Sequence, residues 1–339
     1  MGVGMTVHLT AGAATGIGSL PHTDPRAAAD FVLERLPDLP AIPSLPRRSP
    51  AESMLGQAAA GVPGVAVSDA GFLVIDRPRL DPEGEIVTDL DHDAFGGFRA
   101  FLAAAAGLRQ PVKWQLAGPV TLGVALVHAG APARLAFALA RRAVHSHLRT
   151  LNHVVASALP GCPQVVVLDE PAMSGLMQPG FPIDPDGAID LVSGALAAID
   201  IDADALGGVH CCGPSDWAAI LATGPGVVSL PVRLELTSVA GYLAEFLEGG
   251  GWIAWGAIPT DGPVAPTADR YWRDLAELWC SLVQAGCDPG RLRRQAMVTP
   301  QCGLALHDEA AAAHVFELVD DVADRVHGQA VATRLSIGA

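Results

Sequence analysis

Short apolar runs alternate along the chain with long stretches in which apolar residues recur at three- and four-residue spacing. The long stretches predict amphipathic helices over residues 26–36, 92–107, 133–159, 184–199, 217–223, 238–248, 268–285 and 309–327. Asp91, Asp216, Ser238, Thr267 and Asp308 stand where a side-chain oxygen can take the free N–H groups of a first helical turn. Gly107 and Gly286 stand at plausible C-terminal ends. Between the helices lie TGIGS (15–19), PAIPSLP (40–46), VKWQLAGP (112–119), QVVVLDEP (164–171), GGVHCCG (207–213), GVVSLPV (226–232), WIAWGAIP (252–259) and QAMVTPQCG (295–303). Strands that are continuously apolar are buried on both faces, which calls for a parallel sheet covered by helices. Eight of them predict an α/β fold closed into a (β/α)8 TIM barrel.

A length of 339 residues fits one such barrel, a single domain over 1–339, with the irregular stretch 46–88 as an N-terminal insertion. The alternative is an open doubly wound sheet. Against it, TGIGSLP lacks the third glycine of a dinucleotide loop, and no P-loop pattern occurs. With half the residues apolar and 17% charged, the chain is not a disordered one. A net charge of −15 argues against nucleic acid and against an anionic membrane surface as partners. There is no basic leader and no unbroken apolar run of about 18 residues, so the expectation is a soluble cytoplasmic protein. Six cysteines in a reducing compartment are core, metal-binding or catalytic rather than a disulfide framework.

In a barrel of this kind the reactive groups gather where strands run into their following loops. Ser19, Asp169, Glu170, His210, Cys212 and Cys302 fall at such positions. His210 and Cys212, two residues apart on a strand, project to one side while Cys211 points away. Cys302 on the last strand could approach them across the mouth, which makes a plausible Zn2+ set of one imidazole and two thiolates. The alternative is a satisfied core histidine with small buried cysteines. Asp169 and Glu170 end an apolar run, so each must be hydrogen-bonded or paired, by binding a ligand amine, by acid–base work or by capping the barrel rim. Lys113, the only lysine, and Gln115 share one face of VKWQL. The lysine reads as a structural partner for a barrel carboxylate, and Gln115 as a candidate substrate contact.

Five motifs in order, TGIGSLPHTDP, AGPVT (117–121), LDEPA (168–172), VHCCG (209–213) and TPQCG (299–303), resemble the cobalamin-independent methionine synthase catalytic domain. That domain lies in the superfamily that also holds uroporphyrinogen decarboxylase, and the resemblance extends over essentially the whole chain. LPRRSPAESM (45–54) is closest to its short stand-alone branch. The resemblance implies that His210, Cys212 and Cys302 are zinc ligands, that Gly18 and Ser19 hold a substrate carboxylate, and that Asp169 takes its ammonium group. It implies a methyltransferase of methionine biosynthesis, in which zinc activates a thiol, homocysteine first. Three departures stand out: Pro231 falls where the family has its fourth, acidic ligand, which leaves either Glu235 as a substitute or three protein ligands and an open position. The seventh strand lacks the family's proton-donating histidine, and the synthases' N-terminal barrel is absent. These departures favour a methylcorrinoid protein over a folate as donor. A methyltransferase acting on another thiol, or a non-catalytic zinc- or ligand-binding relative, are the alternatives.

Overall fold

In a computed structural model, which describes residues 7–200 and 205–336, the apolar runs form strands and the periodic stretches form helices. The strands are β1 (Ala13–Ala14), β2 (Val65–Val67), β3 (Leu73–Ile75), β4 (Val112–Ala117), β5 (Gln164–Asp169), β6 (Ala205–His210), β7 (Val227–Pro231), β8 (Trp252–Ile258) and β9 (Ala296–Pro300). The helices are α1 (Pro25–Arg35), α2 (Met54–Ala59), α3 (Gly96–Ala104), α4 (Pro119–His128), α5 (Ala133–Ala158), α6 (Pro185–Asp200), α7 (Trp217–Ala222), α8 (Ala240–Glu248), α9 (Asp269–Gln284), α10 (Pro289–Arg294) and α11 (Glu309–Ser336).

Seven strands form one parallel sheet in the order β1-β9-β8-β7-β6-β5-β4. The segment around Ala41–Ser44 fills the eighth place. The Ile42 N–H donates to the Lys113 carbonyl on the β4 side, and the Ser44 N–H to the Gly18 carbonyl beyond β1. The sheet thus curls back on itself as the TIM-barrel-like fold that the eight runs predict. Inside lies a small apolar cluster of alternate strand residues, among them Ala13, Val165, Val167, Val227, Ala254 and Met297. The larger cluster fills the space between strands and helices, including Trp114, Leu116, Val166, Val228 and Trp255.

Most helices begin and end close to the expected places, with two of the five expected caps formed. Asp216 accepts the Ala219 N–H at 3.0 Å and Asp308 the Ala311 N–H at 2.7 Å. The structure departs at three of them: His92 caps the turn expected of Asp91, and α8 and α9 begin after Val239 and Ala268 without a side-chain cap. Three helices, α2, α4 and α10, were not expected. The stretch 46–88 carries α2 and the antiparallel β2–β3 hairpin. Glu52 anchors its start: fully buried, it accepts the N–H groups of Leu45 at 3.0 Å and Gly97 at 3.1 Å and pairs with Arg48. That clamp seats the start of α2 over the open end of the barrel. Among the described residues, no helix is long and apolar enough to cross a membrane.

Candidate functional site

Strand parity decides which side chains enter the barrel. On β5, Val165, Val167 and Asp169 point in, so Glu170 must leave on the other side. Asp169 lines a cavity of about 330 Å³ at the C-terminal ends of the strands, together with Ser19, Gln115, His210, Cys212 and Cys302. Ser44 of the eighth barrel place and Pro46, Ser53, Met54 and Gln57 of the insertion close it. Asp169 Oδ1 is buried without a partner among the described residues. Burial pushes its carboxyl up to about 6, opposed by the charges of His210 and Lys113.

His210 is the backbone neighbour of Asp169 across β5 and β6. Its Nδ1 lies 2.9 Å from the Ser229 hydroxyl of β7, and its buried Nε2 has no hydrogen-bond partner among the described residues. The possible ligand atoms of His210, Cys212 and Cys302 all lie within 4.8 Å of one another. Cys211 points away, its Sγ 2.9 Å from the Ser215 hydroxyl. Contact with Cys212 and then His210 draws the Cys302 thiol down to about 4, while Cys212, its hydrogen-bonded neighbour, is pushed up. One imidazole with a free Nε2 and two sulfurs suit a thiophilic metal ion better than Mg2+ or Ca2+.

The remaining expected residues divide. A Cβ on Gly18, whose φ is +132°, would lie 2.5 Å from Gln115 Nε2, so the glycine makes room for that amide. Ser19 packs its hydroxyl against Gly303, beside Cys302. Glu170 does not reach the cavity. Its carboxylate accepts the N–H groups of Val120 at 2.9 Å and Thr121 at 2.7 Å and the Thr121 hydroxyl at 2.6 Å, serving as the cap of α4. Glu235 is exposed and accepts from the Thr237 hydroxyl, and Pro231 is buried at the end of β7, so the donor set stays at three among the described residues. Lys113 forms no ion pair with a carboxylate among the described residues. Sequence reasoning missed Ser229, although its parity with the inward Val227 signals it. It also missed Pro46, Ser53 and Met54 of the insertion, for which the sequence carries no comparable signal.

No protein-family model matches the chain, and no curated protein does. Among solved structures, a GH113 β-1,4-mannanase overlaps 95% of this chain and 99% of its own, at 10% identity and a TM-score of 0.46. The GH113 β-mannanase of Alicyclobacillus acidocaldarius gives 94%, 98%, 10% and 0.45 in the same order. A GH5_18 protein of Streptomyces cattleya gives 92%, 80%, 15% and 0.44.

These comparisons overturn the family reading. The solved structures reported are glycoside hydrolases, and no family model brings in the methionine synthases. The resemblance is withdrawn, and with it the methyltransferase activity, the place in methionine biosynthesis, the homocysteine-like thiol and the methylcorrinoid donor. Its two alternatives fall with it. Zn2+ as the named cofactor is withdrawn with the resemblance that implied it, and Glu235 is not a ligand, since it lies outside the cluster. Nor does a likeness this shallow carry glycosidase chemistry to this chain. That chemistry uses two carboxyl groups flanking the bond, and among the described residues Asp169 alone of the carboxylates lines this cavity.

Proposed function

We propose that the cavity is an active site for a small molecule and that His210, Cys212 and Cys302 are its reactive centre. The supporting observation is the convergence of three soft donors within 4.8 Å in a cavity that also presents the unpartnered Asp169. Together they would hold a thiophilic metal ion. Such an ion, with a coordination position left open, supplies Lewis-acid activation and lowers the pKa of whatever binds there. The chain's own residues do the rest. Ser229 holds the His210 ring through Nδ1, which leaves Nε2 for the centre. Asp169, with a free acceptor oxygen, takes a cationic or N–H group of the ligand. Gln115 and Ser19, beside Gly18, contact its other end. A volume of about 330 Å³ suits a compact molecule. The two thiols stay available only in a reducing surrounding, which favours the cytoplasm.

The draw of Cys212 and His210 on Cys302 favours one further reading, a metal-free site with Cys302 as nucleophile. One experiment decides. Protein purified without chelators is analysed for all first-row metals, beside Cys212→Ser and Cys302→Ser variants whose folding is checked by circular dichroism. The expectation is about one metal ion per chain in wild type and almost none in the variants. A folded wild type that is metal-free and takes up no cobalt(II) overturns the metal reading. If its Cys302 also resists iodoacetamide near pH 6, the nucleophile reading falls too.

A further inference from the structure

Lys113 lies beneath the site without lining it: the side chain is 3% exposed, and the cavity wall above it is Gln115, two residues on along β4. The backbone of Lys113 is locked from the eighth barrel place, accepting from the Ile42 N–H at 2.8 Å and donating to the Pro40 carbonyl at 2.9 Å. Its Nζ donates to the Ile17 carbonyl at 3.1 Å and to Gln115 Oε1 at 2.5 Å. An ammonium group has donors only, so the oxygen of the Gln115 amide is the end that must face it. The NH2 end is then turned toward Gly18, where the missing Cβ leaves space for Nε2.

We infer that Lys113 is a positioning residue that orients the Gln115 amide so that its N–H donors face the cavity, which fits this wall to an acceptor oxygen of the ligand. Without the lysine the amide could flip, and the wall would offer oxygen or nitrogen indifferently. The statement about the ligand rests on the cavity being the binding site. The orientation of the amide does not.

From β5, Asp169 is the charged group that acts on Lys113, while β1 and the eighth place offer it only backbone. Burial lowers its amine to about 8. The chain has no other lysine, so labelling with [6-13C]lysine gives one side-chain NMR signal to titrate. The expected midpoint is about 8 in wild type. In Gln115→Glu a carboxylate replaces the accepting oxygen, and the midpoint should rise by about one pH unit or more. Should that variant fail to fold, Gln115→Leu should move it the opposite way. An ordinary lysine midpoint in wild type, or no movement in either folded variant, overturns the orientation. Acetate, added to the same sample as a probe of acceptor oxygens, should shift the wild-type signal saturably and leave Gln115→Glu unmoved. No saturable shift in wild type overturns the ligand assignment. The metal analysis of His210, Cys212 and Cys302 is independent of both results, so the two readings fail separately.

Discussion

Glu170→Gln separates a cap from a catalytic carboxylate. At pH 8, above the value of about 7 to which burial pushes this group, the wild-type side chain is charged and meets three donors at the start of α4. Glutamine keeps the shape but has one acceptor oxygen, and its NH2 group must face either the Val120 N–H or the two Thr121 donors. Leaving a buried donor unmet costs about 1–3 kcal/mol. Losing a negative charge at a buried helix N-terminus costs up to about 2 kcal/mol more. Gly118, the residue before α4, offers no side chain to compensate, and the Glu170 carboxylate occupies the space its Cβ would need. The expected loss is therefore about 1–5 kcal/mol, read as a lower urea midpoint at unchanged slope in tryptophan fluorescence. The metal content of the three-donor centre should not change, because Glu170 does not line the cavity. A stability loss below about 0.5 kcal/mol, or an unchanged midpoint with an emptied centre, would refute the capping argument.

Two further outcomes follow from buried groups. Burial lowers His147 from the ordinary 6.5 to about 4, and its Nδ1 sits 2.8 Å from the Thr88 hydroxyl of the insertion. The folded value lies below the unfolded one, so the unfolded chain binds the proton first as the pH falls. The contribution is whole above pH 6.5 and is lost as the pH falls toward 4, an acid penalty of up to about 3 kcal/mol. Urea midpoints across that window should slope less in His147→Gln, and parallel curves would refute this. Gly303→Ala puts a methyl where the Ser19 hydroxyl lies, so the hydroxyl must turn to another rotamer, which should cost about 0.5–1.5 kcal/mol. Gly262→Ala, where nothing lies within 4 Å, is the control and should be neutral. Equal urea midpoints for the two variants would show that the strand ends at Ser19 and Gly303 are not close-packed.

What the sequence shows of the fold follows from how burial is patterned. A strand covered on both faces is a short apolar run wherever it lies in a parallel sheet, so β4 to β9 are legible from composition alone. Helix α4 is not. Pro119, Val120, Thr121, Leu122, Gly123 and Leu126 are all buried, so no polar stripe marks its face. Its cap comes from Glu170, far along the chain and outside any local signal. In α10 Leu292 is the one large apolar residue, and in α2 Gly56 and Gln57 interrupt the run, so neither shows the apolar repeat that marks the equally short α7. The same parity that brings Asp169 inward sends Glu170 out, and adjacent carboxylates in a sequence cannot be told apart until their strand is placed. The motif order that suggested a family does not carry one, because each motif is a strand end, and any barrel requires strand ends to be short, turning and polar.

The interior of the barrel supplies the stronger argument for a site. Asp169 Oδ1, His210 Nε2 and Thr299 Oγ1 are buried atoms without hydrogen-bond partners among the described residues, on β5, β6 and β9. Thr299 shares its parity with the inward Met297. Each such atom costs about 1–3 kcal/mol when left unmet. A core selected only for stability would fill these places with Val and Ala, as the layer below does with Val165, Val167 and Ala254. Instead the polar layer begins where the strands open into the cavity. There Lys113 is held by Ile17 and Gln115, and His210 by Ser229, so each bonded group is fixed while one face is left unsatisfied. Unmet atoms held by bonded neighbours form a preorganised surface, and this supports the proposal that a ligand completes their hydrogen bonds and coordination.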